Sequence, residues 1–99
     1  MVQSKKDIID LLAKNKNEIL SFGVERLGLF GSFVRDEQKP ESDIDFLVDF
    51  YPEKKTFRNF ADLIYFLEEK TGREVEVVTR KGLSKYFGHH ILNSTEYVI

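Results

Sequence analysis

The sequence predicts an α+β fold in which a small mixed β-sheet is flanked by helices. Three apolar stretches with strand-like character are interspersed with two longer segments whose apolar residues recur at helical spacing. The 99 residues, 41% of them hydrophobic, fit one small domain with a modest core and leave no room for a second. We therefore expect residues 1–99 to form a single domain in which helices cover the sheet.

The first predicted helix runs from about Ser4 to Phe22. Ser4 and Asp7 have the spacing of a capping pair at its start, and Gly23 is a natural residue to end it. A helix with one apolar side packs that side against the rest of the domain. The apolar residues on this side are Ile8, Ile9, Leu12, Ile19 and Leu20.

The first predicted strand is Val24–Phe30. Its Leu27 and Leu29 share one face, because side chains alternate along a strand. Gly28 lies on the other face, where the missing side chain leaves room for the close approach of a ligand or a backbone. We therefore expect one face of this strand to belong to the core.

A polar connection and a second strand come next. Residues 33–42 contain Pro40 and predict a loop after one helical turn. The second strand runs from about Ile44 to Phe50, and Pro52–Lys55 interrupts the apolar pattern after it. This order brings two strands together with only a short polar segment between them.

The second long helix is predicted from Phe57 to about Lys70. Thr56 can cap its start, and Gly72 stands where a helix end favours a residue that tolerates positive φ. The side of the helix that we expect to face the core carries Phe57, Phe60, Ala61, Ile64 and Leu67.

The third predicted strand, Glu74–Thr79, alternates charged and apolar residues. Val75 and Val77 share one face, and Glu74 and Glu76 share the other. The remaining residues are less regular: we expect a helical turn over residues 81–87 and a tail that closes the core with Ile91, Leu92, Tyr97 and Val98.

Composition excludes several classes of protein. A net charge of -2 gives no general attraction to nucleic acid, so a nucleic acid is not expected as the direct partner. Because there are no cysteines, disulfides and thiolate metal sites are excluded. No stretch approaches the roughly 20 apolar residues of a membrane span, and no signal peptide is recognised at the start. We therefore expect a cytoplasmic protein.

Two carboxylates, Asp43 and Asp45, lie in a strand-like run, and ten residues separate Asp43 from Ser32. Residues i and i+2 of a strand point to the same face, so these carboxylates would stand side by side. Close like charges are costly without a cation between them, and oxygen ligands suit Mg²⁺. Gly31-Ser32 ends an apolar strand and opens a turn whose free N–H groups favour phosphate. The pattern predicts a nucleoside triphosphate site.

Neighbouring residues extend this site. If the second and third strands are adjacent, Glu76 joins the aspartates, and three carboxylates can hold two Mg²⁺ ions about 3.5–4 Å apart. Glu76 would accept the proton of an attacking hydroxyl, because the aspartates are committed to the metals. Ser32 and the amides after it would bind phosphates, Gly31 would let the backbone approach them, and Arg35 would reach the triphosphate. Asp49 lies on the same face, and we expect it to be solvated.

Leu29–Arg35 and Ser42–Val48 resemble the minimal nucleotidyltransferases of the DNA polymerase β superfamily. That family carries Gly-Ser, ten further residues and Asp-x-Asp, and this chain matches the pattern in full. Arg73–Thr79 resembles the third-strand motif of the family, which usually has Asp where this chain has Glu76. The resemblance covers nearly the whole chain, and it implies the nucleotidyltransferase fold and metal binding by the three carboxylates.

Many short proteins of this family are antitoxins that act on a HEPN-domain ribonuclease toxin. The resemblance implies a protein adenylyltransferase that uses Mg²⁺ to move AMP from ATP to a tyrosine hydroxyl of the toxin. ATP is implied by the family alone, since nothing in the chain visibly selects adenine. Larger relatives add a domain that binds their acceptor, so we expect a partner protein to present the acceptor here.

Glu76 leaves alternatives open. Glu is one methylene longer than Asp, and a group misplaced by about 1 Å can cost about a hundredfold in rate. The chain is therefore either a working enzyme or a catalytically weakened antitoxin that neutralises its toxin by binding alone. A third hypothesis keeps the enzyme and makes a small molecule or an RNA end the acceptor. The near-neutral charge and the absence of a second domain weigh against that third hypothesis.

Overall fold

The chain forms a four-stranded mixed sheet with helices against it. The computed structural model describes residues 2–82 and 88–99. The helices are α1 Lys5–Lys14, α2 Lys16–Ser21, α3 Phe57–Thr71 and α4 Gly88–Ser94, and the strands are β1 Val24–Phe30, β2 Ile44–Phe50, β3 Val75–Thr79 and β4 Glu96–Tyr97. Strand order is β3-β2-β1-β4. The predicted α+β class and mixed sheet are confirmed.

Pairing within the sheet brings the predicted site residues onto adjacent strands. β2 runs antiparallel to β1 and parallel to β3, and β4 pairs antiparallel with β1. The register sets Asp45 opposite Phe30 on one side and opposite Glu76 on the other. The expectation that the second and third strands are neighbours is therefore confirmed.

The core lies between one face of the sheet and the helices α1, α2 and α3. Leu27 and Leu29 are fully buried, as their shared face predicted. Burying a large aliphatic or aromatic side chain stabilises a fold by about 1.5–3 kcal/mol, so this layer holds the sheet in place. Its central residues are Ile8, Leu12, Ile19, Leu27, Leu29, Phe46, Val48, Leu63, Leu67 and Val77.

The first helical segment differs from the prediction because it is two helices rather than one. α1 ends at Asn15, whose backbone N–H and side-chain Nδ2 both donate to the carbonyl of Leu11, at 3.1 and 2.8 Å. The predicted cap is confirmed, since the Ser4 hydroxyl accepts the Asp7 N–H at 3.2 Å. Leu20 was predicted to face the core, but it is 37% exposed, and the buried residue of α2 is Ile19.

The start and end of α3 match the predicted capping residues. The Thr56 hydroxyl accepts the Asn59 N–H at 3.1 Å, and Gly72 takes a φ of 71° at the end. Phe57 was wrongly assigned to the core and is 86% exposed. It occupies the first turn, before the helix reaches the sheet, and the contacts with the core are made by Leu63, Phe66 and Leu67.

The C-terminal region contains one strand that was not predicted. Glu96–Tyr97 pairs with Gly28 and Leu29 of β1, and Val98 packs against the core as expected. The predicted turn over residues 81–87 lies mostly outside the described residues. At its start, Arg80–Gly82 form a short 3-10 turn. In the ranges that the structure describes, no helix has both the length and the apolar character required to span a membrane.

Candidate active site

A single tight turn follows β1 and begins the site. Gly31 has a φ of 79°, and its carbonyl accepts the N–H groups of Val34 and Arg35 at 3.2 and 3.3 Å. The side chain of Phe33 is fully buried and anchors the turn in the core. One helical turn was predicted here, and one turn is present without continuing into a regular helix.

The first two N–H groups of this turn differ in exposure, because Ser32 is half-buried and Phe33 is fully buried. Across residues 2–82 and 88–99, neither the Ser32 nor the Phe33 backbone N–H has a hydrogen-bond acceptor. A free amide at a turn attracts anions such as phosphate. The predicted phosphate-binding role of Ser32 therefore rests on its own amide, whereas the Phe33 amide is buried and the next two amides are used by the Gly31 carbonyl.

Gly31 also makes room for a carboxylate of the adjacent strand. A Cβ atom at this position would lie 2.9 Å from Cγ of Asp45, which is too close, and 3.2 Å from its Cβ, which is a tight contact. The left-handed backbone conformation is a second reason for glycine here. The turn and the Asp45 carboxylate are thus in direct contact, an arrangement that the spacing of the two motifs did not reveal.

Asp45 and Glu76 lie side by side on β2 and β3. Asp45 is half-buried, and its pKa is raised to about 6, with burial as the largest cause. The charge of Glu76 and its hydrogen-bonding contact with Asp45 are the next causes, the charge of Asp43 contributes a smaller increase, and the charge of Arg35 opposes the shift. Within the described residues no salt bridge pairs these carboxylates, so the site concentrates negative charge, which is the situation that favours a bound cation.

Asp43 lies one residue before β2 and is exposed. Within the described ranges, no three acidic or histidine side chains converge closely enough to surround a metal ion. The predicted trio is thus a close pair, Asp45 and Glu76, with Asp43 alongside. The oxygen donors and the uncompensated charge fit a divalent cation that takes its remaining ligands from a substrate.

Arg35 is close enough to this cluster for its charge to lower the pKa of Asp45. Its side chain is 57% exposed, and its Nε donates to Oε1 of Glu37 at 2.8 Å. A bound phosphate would compete with Glu37 for the guanidinium. The position fits the predicted phosphate contact, although Glu37 was not expected as a competitor.

Residues 9–98 match the family model described as a nucleotidyltransferase domain. The chain belongs to this family. The prediction of a nucleotidyltransferase, and hence of an enzyme, is confirmed.

Relatives of this nucleotidyltransferase span almost its full length. A Methanocaldococcus jannaschii protein, provisionally named a protein adenylyltransferase, is 40% identical over 95 residues, covering 96% of this chain and 94% of its own. Protein adenylyltransferase MntA of Thermococcus cleftensis is 36% identical over 94 residues, covering 94% of each chain. The similarity therefore includes both motifs of the site.

Solved structures share the fold. A structure provisionally described as a minimal nucleotidyltransferase has a TM-score of 0.73 at 29% identity, covering 89% of this chain and 93% of that chain. A toxin–antitoxin crystal structure with AMP-PNP has a TM-score of 0.64 at 21% identity, covering 98% of this chain and 73% of that one. The predicted nucleotidyltransferase fold is confirmed.

One prediction was wrong at the opposite end of the same sheet face in this nucleotidyltransferase, where Asp49 lies. Asp49 was expected to be solvated, but its side chain is only 20% exposed and its Oδ2 accepts Nη2 of Arg80 at 3.0 Å. The same Arg80 nitrogen donates to the Tyr97 hydroxyl at 2.6 Å. Arg80, the partner of Asp49, and Tyr97, the second partner of Arg80, both lie far from Asp49 in sequence, so no local pattern could have indicated this cluster.

Arg73 is another residue whose role the sequence did not indicate. Its Nη1 donates to the carbonyls of Pro40 and Ser42 at 2.9 and 3.0 Å, and its Nε donates to the Val2 carbonyl at 2.6 Å. A charged residue between a helix and a strand is usually solvated. Here it holds backbone carbonyls beside the site, and the only available signal was its place at the start of the third motif.

Proposed function

We propose that this nucleotidyltransferase transfers AMP from ATP to a tyrosine hydroxyl of a HEPN ribonuclease toxin and so acts as its antitoxin. The observation that carries the proposal is the contact between the Gly31 turn, with its free Ser32 amide, and the crowded carboxylates of Asp45 and Glu76. The relatives named protein adenylyltransferases support a protein as the acceptor. We propose the cytoplasm as the setting because the reaction consumes ATP.

Asp43, Asp45 and Glu76 are the residues that would hold Mg²⁺, with two ions in the complete site. Mg²⁺ is usually bound through one or two carboxylates together with substrate phosphates and water. A close pair with a third carboxylate alongside fits this mode without a closed protein cage. When bound, such ions neutralise phosphate charge and activate the attacking hydroxyl.

The phosphates of ATP would lie against the Gly31 turn. The N–H group of Ser32 would donate to a phosphate oxygen, and the Ser32 hydroxyl would add a further donor. Arg35 would exchange Glu37 for a phosphate and balance the charge of the leaving pyrophosphate. The α-phosphorus would then lie toward Asp45, because the turn and that carboxylate are in contact.

Glu76 would accept the proton of the acceptor hydroxyl. It is exposed on β3, an edge strand of the sheet, so a tyrosine of another protein can reach it. Its direct contact with Asp45 keeps it beside the metal-binding group. Glu in place of the usual Asp is compatible with this role, since the observed backbone already sets Glu76 opposite Asp45.

A partner that presents the tyrosine is supported by a fold neighbour, which is a toxin–antitoxin assembly with AMP-PNP. The experiment is intact-mass spectrometry of the protein encoded beside this chain, the candidate for the proposed toxin, after incubation with this protein, ATP and Mg²⁺. We expect mass increases of one or more AMP units. The control variant, Asp43→Asn with Asp45→Asn, should fold and give no increase.

Other outcomes would separate the alternatives. A stable complex with unchanged mass would contradict the enzyme and favour an antitoxin that neutralises by binding alone. In that case the double variant should neutralise the toxin as well as the parent does. Unchanged mass without a complex would contradict the protein acceptor and turn attention to small molecules and RNA ends.

A further inference from the structure

We propose that Arg73 is a positioning residue that sets the location of Asp43 relative to the phosphate-binding turn. The inference rests on the proposed function, because it concerns a carboxylate assigned there to the metal. It assigns to Arg73 no contact with the substrate or the metal. Its role is instead to hold the backbone that carries Asp43.

The loop before β2 has little regular structure of its own. Ser42 closes it locally, since its hydroxyl accepts the Lys39 N–H at 2.8 Å and its N–H donates to the Lys39 carbonyl at 3.0 Å. Strand pairing begins only at Ile44, whose N–H donates to the Glu74 carbonyl at 3.1 Å. Asp43 therefore lies between a small closed loop and the sheet.

Arg73 fixes the end of this loop against the rest of the protein through three backbone carbonyls. Its Nη1 donates to the carbonyls of Pro40 and Ser42, and the second of these belongs to the peptide bond that joins Ser42 to Asp43. Its Nε holds the Val2 carbonyl at the same time. These contacts determine where the backbone of Asp43 lies.

The same guanidinium also contacts the other half of the site. Its Cζ lies 5.1 Å from the centroid of the Phe33 ring, which is fully buried. Phe33 directly follows Ser32 and anchors the turn proposed to bind phosphate. Because one rigid, planar group contacts both the turn and the loop, it sets the separation between them.

Lysine cannot reproduce this arrangement. An ammonium group is a compact point charge and cannot donate from separate nitrogens of one rigid plane to the Val2 carbonyl and to the loop carbonyls while also lying near the Phe33 ring. Arg73→Lys therefore keeps the charge but releases the loop, and Arg73→Ala removes both. Groups that orient metal ligands typically contribute about 10–100-fold to metal affinity or activity.

The test measures Mn²⁺ binding in the presence of a non-hydrolysable ATP analogue. Electron paramagnetic resonance detects the free ion. We expect Arg73→Lys to weaken Mn²⁺ binding by about 10–100-fold. The half-saturating Mn²⁺ concentration for nucleotide transfer should rise in parallel, and excess Mn²⁺ should restore part of kcat. Ile19→Val provides a stability control, because it leaves a small cavity in α2 away from the loop.

Two results would overturn the inference. If Arg73→Lys lowers Tm like Ile19→Val but binds Mn²⁺ as the parent does, Arg73 is only structural. If the parent binds no better than the Asp43→Asn, Asp45→Asn double variant, the proposed metal site itself fails, and the inference with it. Should Arg73→Ala not fold, the Lys variant alone decides between these results.

Discussion

Asp45 and Asp49 lie on the same face of β2, yet their carboxylates have opposite electrostatic surroundings. Asp49 accepts hydrogen bonds from Arg80, whose pKa is held above its ordinary value by this contact. Asp45 instead faces Glu76, with Asp43 nearby, and burial and these carboxylates raise its pKa to about 6. The Asp49 carboxylate at one end of the strand is paired with an arginine. The carboxylates at the Asp45 end form a site that would be stabilised by a bound cation.

This difference separates structure from function on a single strand. The Asp49 cluster links β2 to the segment after β3 and to Tyr97 of β4, so it ties the sheet together. The Asp45 cluster forms no salt bridge within the described residues and lies against a glycine turn with a free Ser32 amide. Natural proteins tolerate an unfavourable local arrangement chiefly where function requires it. The Asp45 end is therefore the one to which we assign the chemistry.

The largest expected effect comes from Asp45→Asn. Removing a metal-binding carboxylate should lower AMP transfer by roughly 10³–10⁴-fold, equivalent to several kcal/mol of transition-state stabilisation. Asp49→Asn is the matched control and should leave transfer within about threefold, with a lower Tm because Arg80 loses its partner. Initial rates of label transfer from ATP would measure both. Equal losses for the two variants would remove the distinction between the ends.

Glu76→Gln comes next. If Glu76 is the general base, kcat should fall by about 10²–10³-fold while the fold is retained. Glu74→Gln is the control, because Glu74 precedes the strand and does not pair with Asp45. The comparison uses kcat at saturating nucleotide and Mg²⁺. A greater loss in the Glu74 variant would mean that the functional carboxylate had been assigned to the wrong residue.

Gly31→Ala tests the contact between the turn and Asp45. The new Cβ would clash with the carboxylate, and the positive φ would be strained, so both the turn and Asp45 must shift. A displacement of about 1 Å at the reacting groups should cost about a hundredfold in kcat/KM. Gly82→Ala, where an added Cβ would meet the Thr79 hydroxyl at 3.2 Å, is a milder control. Parent-like kinetics in Gly31→Ala would show that the contact does not matter.

The smallest effect is on stability against pH without metal. Because the folded-state pKa of Asp45 is raised from 3.8 to about 6, the folded protein binds its proton more tightly than the unfolded chain does. Stability should therefore fall as pH rises from about 4 to about 6, then level off. The contribution is about 1 kcal/mol, allowing for screening of a half-exposed group.

Chemical denaturation at a series of pH values, with a chelator present to remove metal ions, would measure this effect. The free energy of unfolding should decline with rising pH by about 1 kcal/mol less in Asp45→Asn than in the parent. Added Mg²⁺ should reduce the decline of the parent. An Asp45→Asn profile that ran parallel to the parent's would contradict the crowding of charge at this end.

The sequence predicted those features that depend on local pattern. β1 and β2 were predicted with the observed bounds, because alternating apolar residues bounded by glycine or polar segments specify strands locally. The caps at Ser4 and Thr56 were also readable, since each lies three residues from the N–H that it accepts. The ten-residue spacing between Ser32 and Asp43 located the candidate site for the same reason.

The features that the sequence missed depend on long-range contacts. β4 has only two residues, too few for any alternation to be recognised. Phe57 has the helical spacing of a core residue, and only the placement of α3 on the sheet exposes it. The partners of Asp49 and Arg73 lie tens of residues away along the chain, so their charges alone could not indicate them.

The most direct test of the central claim is to locate bound Mn²⁺ by paramagnetic broadening of backbone amide signals in nuclear magnetic resonance, with a non-hydrolysable ATP analogue present. The account predicts that the signals of Gly31, Ser32, Asp45 and Glu76 disappear first, while those of Asp49 and Arg80 persist. Broadening centred on Asp49 would contradict this claim. The absence of any broadening that is lost in the Asp45→Asn variant would contradict it as well.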